Sequence, residues 1–324
     1  MASRIGVLQD PFDPVRPVQI GACLSALESG SVDSVFLVQD EEDAVCLASA
    51  RDRWQMLAAA CSCSRDLIPS RHSLHALRKK HGSRLVLLSV PDPDETLSPS
   101  VEEYCSLKGL YGAVSRLPQA GPWVDSLFAD LNPHRFAHSL SVARTSLDLA
   151  LRYGEDPVRA ETAGLLHDCA KCLSLTEMQK IARKARMTED PSVLESPALL
   201  HSLAGVPVAR SRYGVEDSEI LDAIAYHNTG CAGMSRLAMC VCLADFIEPN
   251  RDPFPLLEDV RRLAGVSLEK ALLLSLEGVA DHVRSKGKNL HPRTLNAIAW
   301  LKSLPAVQSA SDPYEASSIS MPSG

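Results

Sequence analysis

The pattern of hydrophobic positions changes character partway along the chain. Three short runs rich in valine, leucine and isoleucine occur at 4–8, 32–38 and 84–90. Continuous apolar runs of this length are typical of strands buried in a parallel sheet. Stretches of helical length separate the runs, including 17–29 and 70–81. Strand, helix and strand in this order predict an α/β domain with crossover helices.

From about residue 123 the strand signals stop, and a succession of amphipathic helices follows. Asp156 before Pro157 predicts a helix start, because aspartate caps helices and proline favours the first helical turn. Ser174 and Glu177 have the spacing of a capping box, which predicts that another helix begins there. The second part of the chain is therefore expected to be all-α.

Proline-rich segments at 90–100 and 117–122 predict loops, and the second of these separates the two kinds of pattern. The end of the chain is polar and poor in apolar residues, so it is expected to be disordered. We therefore predict an α/β domain, a linker, an all-α domain and a disordered tail, at 1–112, 113–122, 123–304 and 305–324.

Composition narrows the classes of protein that fit this pattern. The chain has 324 residues, of which 45% are hydrophobic, and a formal net charge of −7. The negative charge argues against non-specific binding to nucleic acid or to an anionic membrane. No apolar run approaches the length of a membrane span, and the first residues carry no signal-peptide pattern. The ten scattered cysteines are expected to be reduced thiols, which favours a cytoplasmic location.

Residues that bind metals interrupt the apolar stretches of the second domain. Four histidines lie in such surroundings, within RFAHSLSVA, LLHD, ALLHSLAG and AIAYHNTG, and two aspartates do the same: His138, His167, His201, His227, Asp168 and Asp245. One such histidine is more often a core residue bonded to backbone. Several imidazoles and carboxylates in one domain satisfy each other when they surround a cation. Nitrogen and oxygen ligands suit iron, manganese, cobalt or zinc.

Four sequence motifs in this region resemble those of a known family. AGLLHDCAK, YHNTG, LADFIEPNR and KGKNLHPRTLNA occur in this order between about 130 and 303. Together they resemble the bacterial YqeK family, which are HD-type symmetrical diadenosine tetraphosphate hydrolases. Asn228 stands where the family usually has the first of two threonines, and its carboxamide can still bond a phosphate oxygen.

The resemblance implies metal-dependent hydrolysis of diadenosine tetraphosphate to two ADP. It implies a tightly held metal, with iron expected, whose ligands are His138, His167, Asp168 and Asp245. His201 and His227 would bind either a second metal bridged through Asp168 or the substrate phosphates. The implied catalytic residues are Asp168, Lys171, His201 and His227. The implied binding residues are Arg135, Lys171, His201, His227, Asn228, Arg251, Lys288, Asn289, His291 and Arg293.

Two other functions stay open at this point. The domain could be another HD phosphohydrolase, acting on a mononucleotide or a cyclic dinucleotide, or a sensor that binds nucleotides without cleaving them. The expected partner is a dinucleoside polyphosphate, with neither nucleic acid nor membrane, and a homodimer is left open.

The first domain resembles a nicotinate-nucleotide adenylyltransferase that has lost its motifs. Phe12-Asp13-Pro14 matches the second half of the family's Gly-Gly-Thr-Phe-Asp-Pro motif. Gln9-Asp10-Pro11 stands in place of the first half. Arg16 and Gln19 replace the two histidines of the next motif, His-x-Gly-His. The family's Ser-Thr-x-x-Arg motif is absent. The resemblance implies a Rossmann-like, nucleotidyltransferase-type fold whose adenylyltransferase chemistry is gone, followed by the all-α HD domain. Binding of a nucleotide, dimerisation and a purely structural role stay open for the first domain.

Overall fold

The computed structural model describes residues 3–39, 46–90, 96–113, 115–117 and 119–308. In the first part, strands β1 to β4 span Ile5–Asp10, Ser34–Gln39, Leu67–Ser70 and Leu85–Leu87. Helices α1 to α4 span Pro17–Glu28, Ala50–Ala60, Leu74–His81 and Pro99–Lys108. The strands form one parallel sheet in the order β3-β2-β1-β4. This confirms the α/β fold expected for the first part.

Strand β3 has no counterpart in the hydrophobic pattern. Its sequence is LIPS, so only two of its residues are apolar, and Pro69 interrupts the run. Strand β3 lies at the edge of the sheet, where proline is tolerated because one side of the strand needs no ladder hydrogen bonds. A short edge strand therefore escaped a prediction based on buried apolar runs.

The second part is helical, as expected, and its helices have the following bounds. Helices α5 to α10 span Ala120–Asp130, Pro133–Tyr153, Pro157–Leu166, Leu175–Lys184, Pro191–Leu194 and Pro197–Tyr213. Helices α11 to α16 span Ser218–Tyr226, Arg236–Ile247, Leu257–Ala264, Leu268–Ser285, Pro292–Ser303 and Pro305–Gln308. None of the helices in the described ranges is long and apolar enough to cross a membrane.

Both predicted helix starts are confirmed by their capping contacts. The Asp156 carboxylate accepts hydrogen bonds from the backbone N–H groups of Val158 and Arg159, at 2.9 and 3.1 Å. The Ser174 hydroxyl accepts from the Glu177 N–H at 3.3 Å, and the Glu177 carboxylate accepts from the Ser174 N–H at 2.9 Å. These contacts satisfy donors that the first turn of a helix leaves unpaired.

The two parts share one hydrophobic core rather than standing apart. Tyr104 of α4 and Phe136 of α6 are fully buried, and their rings meet edge to face at 6.4 Å. Asp125 of α5 accepts hydrogen bonds from Gln55 of α2 and from Lys108 of α4, at 3.1 and 3.0 Å. Helix α5 is therefore held against the α/β layer by apolar and polar contacts.

The predicted domain boundaries stay predictions. Helix α5 begins at Ala120, within the segment predicted as a linker, and Pro305–Gln308 forms a short helix at the start of the predicted tail. The rest of that tail, 309–324, lies outside the described residues.

Candidate metal centre

Five helices converge on one buried cluster of histidines and aspartates. His138 lies within α6, His201 within α10 and Asp245 within α12, whereas His167 and His227 are the C-terminal caps of α7 and α11. Asp168 directly follows His167. Backbone turns at two helix ends and side chains from three helix interiors therefore point to the same place.

A glycine allows two of these helices to come close together. Helices α6 and α7 pack against each other, and a Cβ atom added at Gly164 would lie 2.9 Å from the Val142 carbonyl oxygen and 2.6 Å from the Ser146 hydroxyl. Real Cβ atoms do not approach other atoms so closely, so only glycine fits at this crossing. The close crossing brings the Nε2 atoms of His167 and His138 to 3.3 Å.

Asp168 is the centre of the cluster. Its side chain is 2% exposed, and its Oδ1 lies 3.1 Å from His201 Nε2 and 3.6 Å from His227 Nε2. Its Oδ2 lies 3.4 Å from His167 Nε2 and 3.9 Å from His138 Nε2. One carboxylate therefore faces four imidazoles.

Asp245 completes the cluster on the side of His138, with its Oδ1 at 3.1 Å from His138 Nε2. Two groups of side chains have ligand atoms close enough for one ion, with all atoms of a group within 4.8 Å of one another. One group is His138, His167 and Asp245, and the other is His167, Asp168 and His227. His167 belongs to both groups.

The tautomers of three histidines follow from their second nitrogen atoms. Nδ1 of His167, His201 and His227 lies 2.7, 3.2 and 2.8 Å from the carbonyl oxygens of Gly164, Pro197 and Ile224. A carbonyl only accepts hydrogen bonds, so each Nδ1 must donate, and a neutral ring then has a lone pair on Nε2. Three Nε2 lone pairs therefore point at the Asp168 carboxylate.

This arrangement fits a metal ion. Asp168 Oδ1 is buried and, among the described residues, has no hydrogen-bond donor in good geometry. The His201 and His227 Nε2 atoms are 3.1 Å apart with lone pairs on both sides. A cation satisfies such a convergence of acceptors at once, whereas Lys171 Nζ, 3.1 Å from His201 Nε2, leaves Asp168 Oδ1 without a donor among the described residues.

The pKa shifts distinguish His138 from two other histidines of the cluster. Burial lowers the pKa of His167, and it lowers the pKa of His201 to about 4, so both rings are neutral near pH 7. Asp168 is ionised beside the Arg135 guanidinium, which donates to its Oδ2 at 2.6 Å. A metal ligand is a neutral imidazole or an ionised carboxylate, and His167, His201 and Asp168 are already in these states. Burial alone would lower the pKa of His138, but Asp245 and Glu248 raise it, so this ring would release a proton when it binds a metal.

Three cationic side chains surround the cluster. Arg135 donates to Asp168 Oδ2 at 2.6 Å, and Lys171 Nζ lies 3.1 Å from His201 Nε2. Arg251 donates to the Asp245 carboxylate at 2.9 Å and to its backbone carbonyl at 2.6 Å. Burial lowers the pKa of Lys171. All three side chains are 24 to 38% exposed, so they can also meet a ligand from solvent.

Comparisons with known proteins support the same assignment. The family model of the HD domain matches residues 135–250. The symmetrical bis(5'-nucleosyl)-tetraphosphatase of Bacillus subtilis is 37% identical over 175 residues, which cover 53% of this chain and 92% of that protein. The chain belongs to this HD family.

Two further relatives match the HD domain and the two-part organisation. A crystal structure from Clostridium acetobutylicum, described as a predicted HD superfamily hydrolase involved in NAD metabolism, is 37% identical with a TM-score of 0.54. The match covers 56% of this chain and 95% of that one. A Mycoplasma genitalium protein, whose name joins nicotinate-nucleotide adenylyltransferase and Ap4A hydrolase, is 32% identical over 50% of this chain and 47% of its own length.

The HD domain also contains a buried carboxylate that sequence reasoning missed. Glu248 is 2% exposed and accepts a hydrogen bond from His138 Nδ1 at 3.1 Å. Its other oxygen accepts from the Asn250 N–H at 2.7 Å, and the Asn250 side chain donates to Ser141. Glu248 therefore fixes the orientation of His138 without facing the cluster. Glu248 lies three residues after Asp245 at the same helix end, and this spacing could have identified it in the sequence as a partner of a metal ligand.

The remaining predicted binding residues are exposed or contact neighbouring turns and helices of the HD domain. Asn228 donates its side-chain amide to the Ala198 carbonyl, which ties the turn after α11 to the start of α10. Lys288 and Asn289 are exposed. His291 caps α15 and accepts from the Arg293 N–H, and the Arg293 guanidinium lies 5.4 Å from the centre of the Tyr226 ring. The roles of these residues stay predictions.

In the α/β domain, the residues that replace the adenylyltransferase motifs bond to each other. The Asp10 carboxylate accepts from the Phe12 N–H at 2.9 Å and from the Gln19 side chain at 2.7 Å. The Gln19 carbonyl oxygen accepts from the Arg16 N–H at 2.7 Å. Asp13 is engaged by the Ala48 N–H at 3.1 Å. Side chains at the two motif positions thus support the strand-to-helix turn.

Proposed function

We propose that the HD domain hydrolyses dinucleoside polyphosphates symmetrically, so that diadenosine tetraphosphate and water give two ADP. The observation that carries the proposal is one acceptor-rich centre, built on Asp168, with three cationic side chains at its edge. An acceptor centre suits a metal ion, and adjacent cations suit a chain of phosphates. Three relatives of this HD domain, each 37% identical, are named symmetrical bis(5'-nucleosyl)-tetraphosphatases.

The ligands of the proposed metal are His138, His167, Asp168 and Asp245, with His201 and His227 on the opposite side of Asp168. Iron is our expected metal, and manganese, cobalt or zinc would meet the same nitrogen and oxygen donors. When bound, such an ion supplies an activated water for attack and neutralises charge on phosphoryl oxygens. Glu248 holds His138 in the tautomer that such binding requires.

The cationic side chains determine which part of the substrate is gripped. Arg135 and Lys171 lie on the Asp168 side of the cluster, and Arg251 lies on the Asp245 side. If these three side chains hold one adenosine diphosphate moiety, its β-phosphorus lies at the cluster around Asp168. Attack at that phosphorus expels the other half of the molecule as ADP, which is a good leaving group. Charge on the transferred phosphoryl oxygens is stabilised by the same cations.

Lys171 and His201 can act together on the ADP that leaves the substrate. Lys171 Nζ lies 3.1 Å from His201 Nε2, and both the burial of Lys171 and the neutral state of His201 favour sharing a proton. A protonated Lys171 can donate to a phosphate oxygen as negative charge develops there. This residue pair is therefore our choice for stabilising the expelled ADP.

Product analysis across a nucleotide panel tests the proposal. The full chain is loaded with iron, manganese, cobalt or zinc and supplied with diadenosine tetraphosphate, a mononucleotide or a cyclic dinucleotide. We expect turnover of the tetraphosphate with at least one metal, and loss of turnover with chelator. Faster cleavage of the mononucleotide or the cyclic dinucleotide would assign that compound as the substrate of the HD domain. Binding without turnover under every condition would instead identify a nucleotide sensor.

For the α/β domain we propose that adenylyl transfer is lost. The motif positions are occupied by Arg16 and Gln19, which are engaged at the strand-to-helix turn. Incubation with ATP and nicotinate mononucleotide should release no pyrophosphate, and release that needs both substrates would contradict this. We also place the protein in the cytoplasm, because all ten cysteines are free thiols.

A further inference from the structure

The C-terminal end of α12 carries two residues of the metal centre but cannot be capped by its own backbone. Asp245 lies in the last turn of α12, and Glu248 is the C-terminal cap. The last carbonyls of a helix lack partners within it, and the usual caps satisfy them with N–H groups of the residues that follow. Here the next residue is Pro249, which has no N–H. The end of α12 therefore needs donors from side chains.

Two guanidinium groups supply these donors. Arg251 donates from Nε and Nη2 to the Asp245 carbonyl, at 3.0 and 2.6 Å. Arg261, in α13, donates from Nε to the Ile247 carbonyl at 3.0 Å and from Nη2 to the Glu248 carbonyl at 2.8 Å. Its planar fork thus spans two successive carbonyls, and its positive charge offsets the partial negative charge of the helix end.

The Arg261 side chain is held in place from its own helix. Leu257, Val260 and Ala264 are buried, so the apolar face of α13 fixes this helix on the core. The third nitrogen of the guanidinium, Nη1, donates to the Glu258 carboxylate at 2.7 Å. All three nitrogens of the group are therefore bonded, although the side chain is 29% exposed.

The orientation of His138 depends on the position of this helix end. The other three histidines of the cluster each bond through Nδ1 to a carbonyl three or four residues earlier in the chain. His138 instead bonds through Nδ1 to Glu248, which is 110 positions away in sequence. Its Nε2 faces Asp245 Oδ1 at 3.1 Å. A shift of the α12 end would therefore displace a candidate ligand and the support of a second one together.

We propose that Arg261 is a positioning residue of the metal centre proposed above, on which this inference rests. By holding the end of α12, it keeps Asp245 and Glu248 where both engage His138. Among the described residues, its hydrogen bonds reach Ile247, Glu248 and Glu258 but no candidate metal ligand. Arg261 therefore acts on the centre through the backbone of α12.

Binding of cobalt(II) to the full chain tests the proposal. Cobalt suits the nitrogen and oxygen donors, and its visible absorption reports on the geometry of its ligands. Arg261→Ala should lower the cobalt affinity, measured by competitive chelation, at least about tenfold, and should change the spectrum of the bound ion. Arg261→Lys should recover part of the affinity, because an ammonium group cannot reproduce the fork that spans both carbonyls.

Arg284→Ala is the matched control. Arg284 lies on α14, is 58% exposed and pairs with Asp281 three positions earlier, as Arg261 does with Glu258. Its removal should leave both the cobalt affinity and the spectrum unchanged. A loss of affinity in this variant equal to the loss in Arg261→Ala would contradict a specific role of Arg261.

Two results would overturn the inference while leaving the metal centre in place. The first is an unchanged affinity and spectrum in Arg261→Ala, including the case in which only its unfolding temperature falls, because the role would then be purely structural. The second, decisive if Arg261→Ala does not fold, is an unchanged affinity and spectrum in Arg261→Lys. If the unmodified chain binds no cobalt, the metal centre itself fails and the inference falls with it. None of these measurements requires hydrolysis of a tetraphosphate.

Discussion

The Nε2 atoms of His201 and His227 lie 3.1 Å apart, although each ring already donates its Nδ1–H to a backbone carbonyl. Two neutral imidazoles cannot form a hydrogen bond in this arrangement, because both facing nitrogens are acceptors. The contact is favourable when a cation lies close to both nitrogens, and the Lys171 ammonium lies 3.1 Å from one of them, His201 Nε2. The pKa of His201, lowered to about 4 by burial, argues against an extra proton between the rings.

The first prediction concerns the carboxylate at the centre of this cluster. Asp168→Ala should lose bound metal and hydrolytic activity, because one side chain contacts all four histidines. Metal content of the purified variant, measured beside circular dichroism, checks this. Asp148→Ala is the control, since Asp148 is a 55% exposed residue of α6. Full metal occupancy and normal turnover in the Asp168 variant would show that Asp168 is not a ligand.

The second prediction concerns the support of His138. Glu248→Ala should lower metal affinity by about 10- to 100-fold, the usual effect of removing a partner that orients a ligand. Glu248→Gln should recover most of the loss, because its amide oxygen can still accept from His138 Nδ1. Competitive chelation gives the affinities, and the exposed residue Glu216 offers a control in Glu216→Gln. If all three variants bind the metal as tightly as the unmodified chain, Glu248 does not support a metal ligand.

The third prediction concerns Lys171. Removing a charge-assisted contact costs about 1.5–3 kcal/mol, so Lys171→Ala should lower kcat/KM by about 10- to 100-fold. Metal content should stay unchanged, because an ammonium group cannot be a ligand. Lys180→Ala, an exposed position on α8, is the matched control. A loss of metal with a proportional loss of activity would instead assign Lys171 a structural role.

The fourth prediction concerns a buried carboxylate where α4 meets the HD domain. Glu103 is fully buried, and burial together with neighbouring Glu161 raises its pKa to about 9, against the opposing charges of Arg144 and Arg116. The folded protein therefore holds a proton that the unfolded chain loses near its ordinary glutamate pKa of about 4.3. The stabilisation is complete below that value and is lost as pH rises through about 9.

Urea unfolding across this range measures the effect. Between about pH 6 and about pH 8 the free energy of unfolding should fall by up to ~1.4 kcal/mol per pH unit from this group. Glu103→Gln should flatten the slope, since an amide does not titrate. Glu102→Gln, at a neighbouring position that is 54% exposed, should leave it unchanged. An identical slope in Glu103→Gln would show that Glu103 is ionised in the folded state.

Much of the fold and of the centre is legible in the sequence, for identifiable reasons. Strands β1, β2 and β4 are continuous apolar runs, and the helix starts at Asp156 and Ser174 carry their capping residues. The histidines and aspartates of the cluster stand out because polar residues rarely occur in apolar stretches without a partner. In this chain that contrast singled out the residues that the fold brings together in the cluster.

Other features depend on contacts that no local pattern encodes. Strand β3 is short, and its proline is acceptable only because the strand lies at the sheet edge. Glu248 looks like an ordinary surface residue until the fold places it against His138.

The most direct test of the central claim is hydrolysis of diadenosine tetraphosphate in isotopically labelled water, by the metal-loaded full chain. Chromatography and mass analysis identify the products and the position of the label. We predict ADP as the sole nucleotide product, with half of the molecules carrying one labelled oxygen on the terminal phosphate. ATP and AMP in equal amounts would contradict symmetrical cleavage and the proposed grip on one adenosine diphosphate moiety.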